Sequence, residues 1–198
     1  MKQVLLALVL ASTAAVPALA DAIPLNAISR YLNGIETAEA DFTQINDDGT
    51  VSTGHLYLRR PGNMRFEYAG DDLLVMAGGQ QVAIFDGRSN TRPDQYPLRE
   101  TPLSIILDEQ VDLSRSNMVV RHEFDGTSTR VVAQDPDRPE IGSLTMVFTP
   151  DPIELRQWIV RDETGAETTV VLGALEEGGS IPLTRFSITQ EIQRRRGD

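Results

Sequence analysis

The chain has 198 residues, a formal net charge of −11 at pH 7 and no cysteine. This acidity argues against binding to nucleic acid and against electrostatic adsorption to anionic membranes, because both carry negative charge themselves. The absence of cysteine excludes disulfide bonds and lipid attachment through a thiol.

The first 20 residues have the pattern of a cleaved secretory signal peptide. Lys2 supplies a positive start, an apolar run extends from Val4 to Val16, and an A-x-A cleavage pattern follows at 18–20. The run is too short to span a bilayer, and no later segment is long enough. We therefore expect residues 21–198 to form a single exported domain in the periplasm of a Gram-negative bacterium.

The mature chain opens with a short amphipathic helix. Leu25, Ile28 and Leu32 recur at helical spacing, Pro24 suits a first helical position, and Gly34 marks the end. The pattern predicts a helix between Pro24 and Ile35 that buries one of its faces.

Most of the remaining chain alternates as β-strands do. Turn signals such as the Asp-Asp-Gly of 47–49 recur at spacings of roughly 8–12 residues. These features predict a mainly β fold with short α segments, namely a single curled antiparallel sheet. We expect an unclosed β-barrel of about 11 strands covered by short lid helices. The predicted strands lie at 39–45, 51–60, 64–68, 73–76, 81–85, 118–124, 129–134, 142–148, 153–161 and 168–175.

A second helical segment interrupts the strands at Thr101–Asp108. Thr101 can cap it, Pro102 can occupy its first turn, and an apolar turn and a half follows. Such a segment is either a short buried connector or, together with the first helix, a lid over an open barrel. The three arginines at 194–196 are interpreted as part of a solvated tail.

One arginine stands on an apolar strand face. Leu56, Leu58 and Arg60 point the same way because side chains alternate along a strand, and Arg60 lies at the strand end. Beyond the Pro-Gly turn of 61–62, an apolar face of Met64, Phe66 and Tyr68 lines the same interior. Arg60 either extends its charged end to solvent at the sheet edge or donates to the unpaired last carbonyls of a covering helix.

The sequence offers little that resembles a catalytic site. His55 and His122 lie on separate predicted strands, and the chain has no HExxH, GxSxG or P-loop motif. Its acidic residues fall mostly in turns, although a carboxylate-pair hydrolase stays open as an alternative. We expect no enzyme activity and no cofactor or metal.

Three motifs in order resemble the LolA family of periplasmic carriers of outer-membrane lipoproteins. They are F-T-Q at 42–44, R-P-G-x-x-R-F-x-Y at 60–68 and T-P-L at 101–103. The similarity extends over nearly the whole mature chain. It implies an unclosed barrel with lid helices, and an arginine at Arg60 that hydrogen-bonds the lid and helps to hold the empty form closed.

The resemblance also implies a function and a site. The protein is expected to act as a monomer that takes acylated lipoproteins from an inner-membrane ABC lipoprotein-releasing transporter and delivers them to an outer-membrane acceptor or to the membrane itself. Two alternatives are a generic periplasmic binder of fatty acid or phospholipid and, less suited to a single domain, a sensor of mislocalised lipoproteins. The expected lid residues are Leu25, Ile28, Leu32, Thr101, Pro102, Leu103, Ile105, Ile106 and Leu107. The expected acyl-chain cavity is lined by Phe42, Leu56, Leu58, Met64, Phe66, Tyr68, Leu74, Met76, Val82 and Ile84.

Overall fold

The computed structural model describes residues 21–70, 72–88, 92–115 and 117–196, and the predicted signal peptide at 1–20 lies outside these residues. The helices are α1 (Leu25–Gly34), α2 (Ser104–Leu107) and α3 (Ile188–Arg196). Three short 3-10 helices lie at Leu98–Glu100, Pro139–Ile141 and Leu183–Phe186. The strands are β1 (Thr37–Ile45), β2 (Val51–Arg59), β3 (Asn63–Tyr68), β4 (Leu73–Gly78), β5 (Gln81–Asp86), β6 (Asp94–Pro97), β7 (Val119–Phe124), β8 (Thr129–Ala133), β9 (Ser143–Thr149), β10 (Glu154–Arg161), β11 (Glu167–Leu172) and β12 (Glu176–Glu177).

All twelve strands belong to one antiparallel sheet. Its order is β6-β5-β4-β3-β2-β1-β11-β10-β9-β8-β7, and β12 pairs with β1. The strands β6 and β7 therefore form two edges, and the barrel is unclosed. This confirms the fold predicted from the sequence, including one large open sheet with short helices.

Ring contacts across the interior show how strongly the sheet curls. Phe66 on β3 and Trp158 on β10 have ring centroids 6.2 Å apart. The sheet order separates these strands by four steps, which would be about 19 Å in a flat sheet. Side chains from the two halves of the sheet consequently share one core.

The turns form where the sequence predicts them. In the β1–β2 hairpin, Gly49 adopts a φ of 79°, and its N–H donates to the carbonyl of Asn46. This left-handed backbone suits glycine because a Cβ would be strained there. The hairpin fixes the register in which Ala38, Ala40 and Phe42 face the interior opposite Leu58, Leu56 and Gly54.

Hydrophobic side chains pack on both sides of one part of the sheet. The main core fills the interior and includes α1, α2 and the segment around Val111 and Leu113. A smaller cluster on the outer face packs beneath α3. None of the helices in the described ranges is long and apolar enough to cross a membrane.

Candidate functional site

The inner face of the sheet is an apolar wall. On β9 burial alternates strictly, so Leu144, Met146 and Phe148 point inward and are fully buried. The opposite half of the wall belongs to β1, β2, β3 and β5, and its buried members are Phe42, Leu56, Leu58, Met64, Phe66 and Val82. Such a wall can hold an alkyl chain once its own side chains move apart.

An aromatic cluster occupies the middle of this wall. Phe42 contacts Phe66 and Tyr68 edge-to-face, with ring centroids 5.2 Å apart in each pair. Gly54 makes room for it, because a Cβ at this position would lie 2.8 Å from the Phe42 ring and 2.1 Å from the carbonyl oxygen of Glu67. The absence of a side chain at Gly54 thus allows the ring of Phe42 to lie against β2.

Arg60 follows β2 and bonds both segments that cover the interior. These segments, called the covers below, are α1 and the chain from α2 to Leu113. One Nη1–H donates to the carbonyl of Leu32 in the last turn of α1. Nη2 donates to the carbonyl of Asp108 just after α2, at 2.6 Å, and to Oδ1 of Asn33, at 3.2 Å. A single guanidinium therefore bridges the ends of two helices. This agrees with the prediction that Arg60 donates to carbonyls at the end of a covering helix.

The acceptors around Arg60 are neutral. Two of them are backbone carbonyls at helix ends, where the helix also places partial negative charge. The carbonyl of Leu32 also accepts from the N–H of Ile35 at 3.3 Å. Burial lowers the pKa of Arg60 below its usual value, and the nearby carboxylate of Asp108 acts in the opposite direction. The group stays charged at any physiological pH, and its Nε is buried without a hydrogen-bond partner in the described structure. Arg60 thus holds the covers through neutral acceptors. When the covers move away, no carboxylate loses its ion-pair partner.

Further bonds tie the two covers to each other. The side chain of Asn33 donates to the carbonyl of Val111 and accepts from its N–H, both at 2.9 Å. One turn earlier, Oγ of Ser29 accepts from the N–H of Leu113 at 3.1 Å. Hydrogen bonds thus join one side of α1 to the segment after α2.

The hydrogen bonds from Arg60 to the two covers form a latch, which lies beside a surface cleft. A depression of about 750 Å³ is lined by Arg60, Asn33, Arg59 and the segment from Glu177 to Ile181. On the other side of Pro61, a cleft of about 400 Å³ extends over α2. Solvent can therefore reach the bonds of Arg60 to Asn33 and Asp108.

The predicted lid residues divide into two groups. Ile28, Leu32, Ile105, Ile106 and Leu107 lie on α1 or α2 and are buried against the core, and Leu25 packs partly against it. Thr101, Pro102 and Leu103 precede α2, which begins only at Ser104. The prediction that Thr101 caps this helix is wrong, because its hydroxyl donates backward to the carbonyl of Leu98.

The predicted cavity residues also divide. Phe42, Leu56, Leu58, Met64, Phe66 and Val82 lie in the main core, Tyr68 packs against it, and the half-buried Ile84 shares the face of Val82 by alternation. Leu74 and Met76 were placed on the wrong face. They lie in the outer cluster with Phe85, whereas Val75 packs against the main core and Ala77 belongs to it.

The helix α3 explains that error and was itself missed. Ile188 and Ile192 pack over Leu74 and Met76, so both faces of β4 are buried and its sequence shows no alternation. A signal for the helix was present, since Ser187 precedes it, with its hydroxyl accepting from the N–H of Gln190, and the two isoleucines are spaced four residues apart. The three arginines at 194–196 belong to α3 and not to an irregular tail, and Arg194 and Arg196 are exposed as expected.

Each histidine makes a hydrogen bond in the structure. His55 bonds Asp41 at 2.8 Å on the outer face, and His122 bonds the carbonyl of Ile23 at 2.9 Å. In the parts of the chain that the structure describes, no group of three or more histidine, aspartate or glutamate side chains is placed to hold a metal ion.

The comparison with protein families decides the assignment. The model of the family described as "Outer membrane lipoprotein carrier protein LolA" matches residues 33–189. The chain belongs to the LolA family. This is a family of carriers and not of enzymes, and it is periplasmic in Gram-negative bacteria.

One solved structure supports the same fold. A domain described as an outer membrane lipoprotein-sorting protein, from Vibrio parahaemolyticus, aligns with a TM-score of 0.51 at 9% identity and covers 86% of this chain and 97% of that one. A LolA superfamily protein from Nitrosomonas europaea aligns with a TM-score of 0.41 at 9% identity, over 84% and 98%. No curated protein matches the sequence. At these identities the first structure speaks for the fold alone.

Proposed function

We propose that this LolA-family protein is a monomeric periplasmic carrier that shields the acyl chains of lipoproteins and moves them from the inner to the outer membrane. The observation that carries the proposal is Arg60, whose single guanidinium bonds the carbonyls of Leu32 and Asp108 and so closes two covers over an apolar wall. A closed apolar interior with a reversible fastening suits cargo that must be bound and then given up.

The energetics require both shielding and a cost of opening. Each buried methylene contributes about 0.8 kcal/mol, so a long acyl chain gains on the order of 10 kcal/mol on leaving water. A carrier with this full affinity would not release its cargo. Since opening the lid breaks the Arg60 bonds, the closed state reduces the net affinity by the cost of that opening.

The expected route has two partners. An inner-membrane ABC lipoprotein-releasing transporter supplies the acylated cargo, and an outer-membrane acceptor or the membrane itself receives it. The clefts beside Arg60 leave the fastening open to a partner that displaces the covers. The signal peptide predicted at 1–20 supports a periplasmic location for this protein.

A release assay tests the proposal. Spheroplasts that hold newly made lipoprotein in the inner membrane are incubated with the purified protein, and we expect acylated lipoprotein to appear in the soluble fraction in a complex with it. An absence of soluble lipoprotein would refute the carrier role. If free fatty acid or phospholipid then co-purified instead, the protein would be a generic binder of hydrophobic ligands.

A further inference from the structure

A polar pair interrupts the apolar wall far from the lid fastening. Gln44 on β1 and Tyr68 on β3 both face the interior, on the same sides of their strands as Phe42 and Phe66. The hydroxyl of Tyr68 donates to Oε1 of Gln44 at 2.7 Å. Gln44 lies opposite Ser52, which precedes Arg60 by eight residues, and Arg60 directly follows β2. About 26 Å of extended chain therefore separates the polar pair from the Arg60 bonds.

A chain of hydrogen bonds orients Gln44. Its Nε2 donates to Oδ1 of Asn46 at 2.7 Å, and Nδ2 of Asn46 donates to Oγ1 of Thr50 at 2.9 Å. The Thr50 hydroxyl in turn donates to Asp48 at 2.6 Å in the β1–β2 hairpin. Because the amide nitrogen of Gln44 points to the hairpin, its oxygen points to Tyr68, and the tyrosine must be the donor.

The tyrosine hydroxyl is a dependable donor. Burial raises the pKa of Tyr68 to about 12. The hydroxyl therefore keeps its proton throughout the physiological range. A partly buried hydroxyl that loses its partner is destabilised, so a group that displaces Gln44 has to be an acceptor to restore the bond.

Two other hydroxyls that face the interior are committed to the backbone. The Tyr31 hydroxyl accepts from the N–H of Leu155 at 3.1 Å, and Oγ1 of Thr129 accepts from the N–H of Ile23 at 2.9 Å. Tyr68 is bonded to a side chain, which can rotate toward the hairpin and solvent without breaking secondary structure. The hydrogen bond that the Tyr68 hydroxyl donates can consequently be redirected from Gln44 to a ligand.

We infer that Tyr68 is a specificity-determining residue that donates a hydrogen bond to the carbonyl oxygen of an acyl linkage, with the alkyl chain extending along the wall toward the lid. The inference deepens the proposed carrier function and rests on it. It assigns the site a preference for ester- or amide-linked acyl groups over alkyl ethers of the same length, because an ether offers a weaker acceptor in a different place.

Three probes with matched 16-carbon tails test this directly. Binding of monopalmitoylglycerol (an ester), N-palmitoylethanolamine (an amide) and 1-O-hexadecylglycerol (an ether) to the purified protein is measured by displacement of a fluorescent fatty-acid analogue. One retained hydrogen bond corresponds to roughly a five- to tenfold preference for the ester over the ether. Tight binding of the amide, the ester or both identifies which acyl linkage the site accepts.

Tyr68→Phe should bind both carbonyl probes only as tightly as the ether, with ether binding unchanged. The matched control is Tyr57→Phe, on the outer face of β2, where the ring is stacked on Arg185, and it should keep the full preference. Gln44→Leu removes the internal acceptor that competes with the ligand, and it should enlarge the preference. It also decides the matter if Tyr68→Phe fails to fold.

Equal binding of ester, amide and ether by the wild type would overturn the inference and leave the carrier proposal intact. A preference that survives Tyr68→Phe, or one that Gln44→Leu leaves unchanged or reduces, would overturn it as well. If none of the three probes bound, the carrier proposal itself would fail.

Discussion

Arg60 shows how a charged side chain can close an apolar space reversibly. Hydrogen bonds from a charged donor contribute about 1.5–3 kcal/mol each, and Arg60 gives such bonds to both covers. Its acceptors remain solvated or locally paired when the lid opens, since they are carbonyls at helix ends. The fastening can thus be strong enough to affect release without making opening prohibitive.

Arg60→Leu should retain cargo. Without the latch, opening costs less by at least about 2 kcal/mol, which raises net cargo affinity roughly 30-fold while the fold survives. The measurement is the fraction of bound lipoprotein that the variant transfers to outer-membrane vesicles. Arg59→Leu is the matched control, because the Arg59 side chain donates to the carbonyl of Ile181, which belongs to neither cover. Transfer by Arg60→Leu at the wild-type level would disprove the latch.

Gly54 is a residue where one methyl group should matter. Gly54→Ala places a Cβ 2.1 Å from the Glu67 carbonyl and 2.8 Å from the Phe42 ring, so β3 or the aromatic cluster must shift. We expect a loss of about 1–3 kcal/mol in the free energy of unfolding, measured by urea denaturation. Gly34→Ala, at the end of α1 with open space around it, should be neutral or stabilising. An equal effect of the two substitutions would contradict this account of Gly54.

At the scale of elements, α3 is held on the sheet by a buried charge cluster. Glu191 is 6% exposed and receives bonds from Arg194, Arg195 and the buried Arg65 of β3. Arg195 also pairs with Asp72 at 2.9 Å. The cluster fixes the helix over Leu74 and Met76 and thereby keeps the second face of β4 dry.

The docking of α3 should depend on pH. Burial opposes ionisation of Glu191, but the bonds from Arg194 and Arg195 and the charge of Arg65 outweigh it and hold its pKa below the ordinary value. A carboxyl with a depressed folded-state pKa stabilises the protein fully above its unfolded pKa, about 4.3. That contribution disappears as the pH falls through the folded-state pKa.

Glu191→Gln should therefore cost about 3 kcal/mol at pH 7. The difference from wild type should shrink as the pH falls from 5 to 3, because only the wild type titrates there. Thermal melting across this range measures it, with Glu163→Gln in the exposed turn after β10 as a control of equal charge. If the difference in melting temperature between Glu191→Gln and wild type stayed constant from pH 5 to 3, the cluster would not stabilise the ionised carboxyl.

These elements also show what the sequence could predict. The parity of β2 and β3 was readable because apolar and polar residues alternate around Leu56, Leu58, Met64 and Phe66. On β4 the run from Leu73 to Ala77 is apolar at every position, so a one-residue shift in parity left no trace in the pattern. The acceptors of Arg60 were foreseeable as helix-end carbonyls, whereas the Tyr68–Gln44 bond depends on a strand register that only the fold reveals.

At the scale of the whole molecule, the curled sheet and its covers behave as one closed shell. The same 6.2 Å contact of Phe66 and Trp158 that reveals the curl leaves the interior filled by its own side chains. Cargo can enter only if the two halves of the wall separate and the covers move. Since the bonds of Ser29 and Asn33 tie α1 to the segment after α2, the covers should move together.

Hydrogen exchange can test this coupling. In Arg60→Leu, amides of α1 and of residues 104–113 should exchange faster by a similar factor, because one guanidinium fastens both and the Asn33 bonds keep them joined. Amides of α3 should exchange at the wild-type rate, since that helix is fastened by Glu191 on the outer face. Faster exchange in only one cover would show that the lids open independently. An equal rise in α3 would mean that the substitution loosens the whole fold, and a lid that opens as a unit would then have to be abandoned.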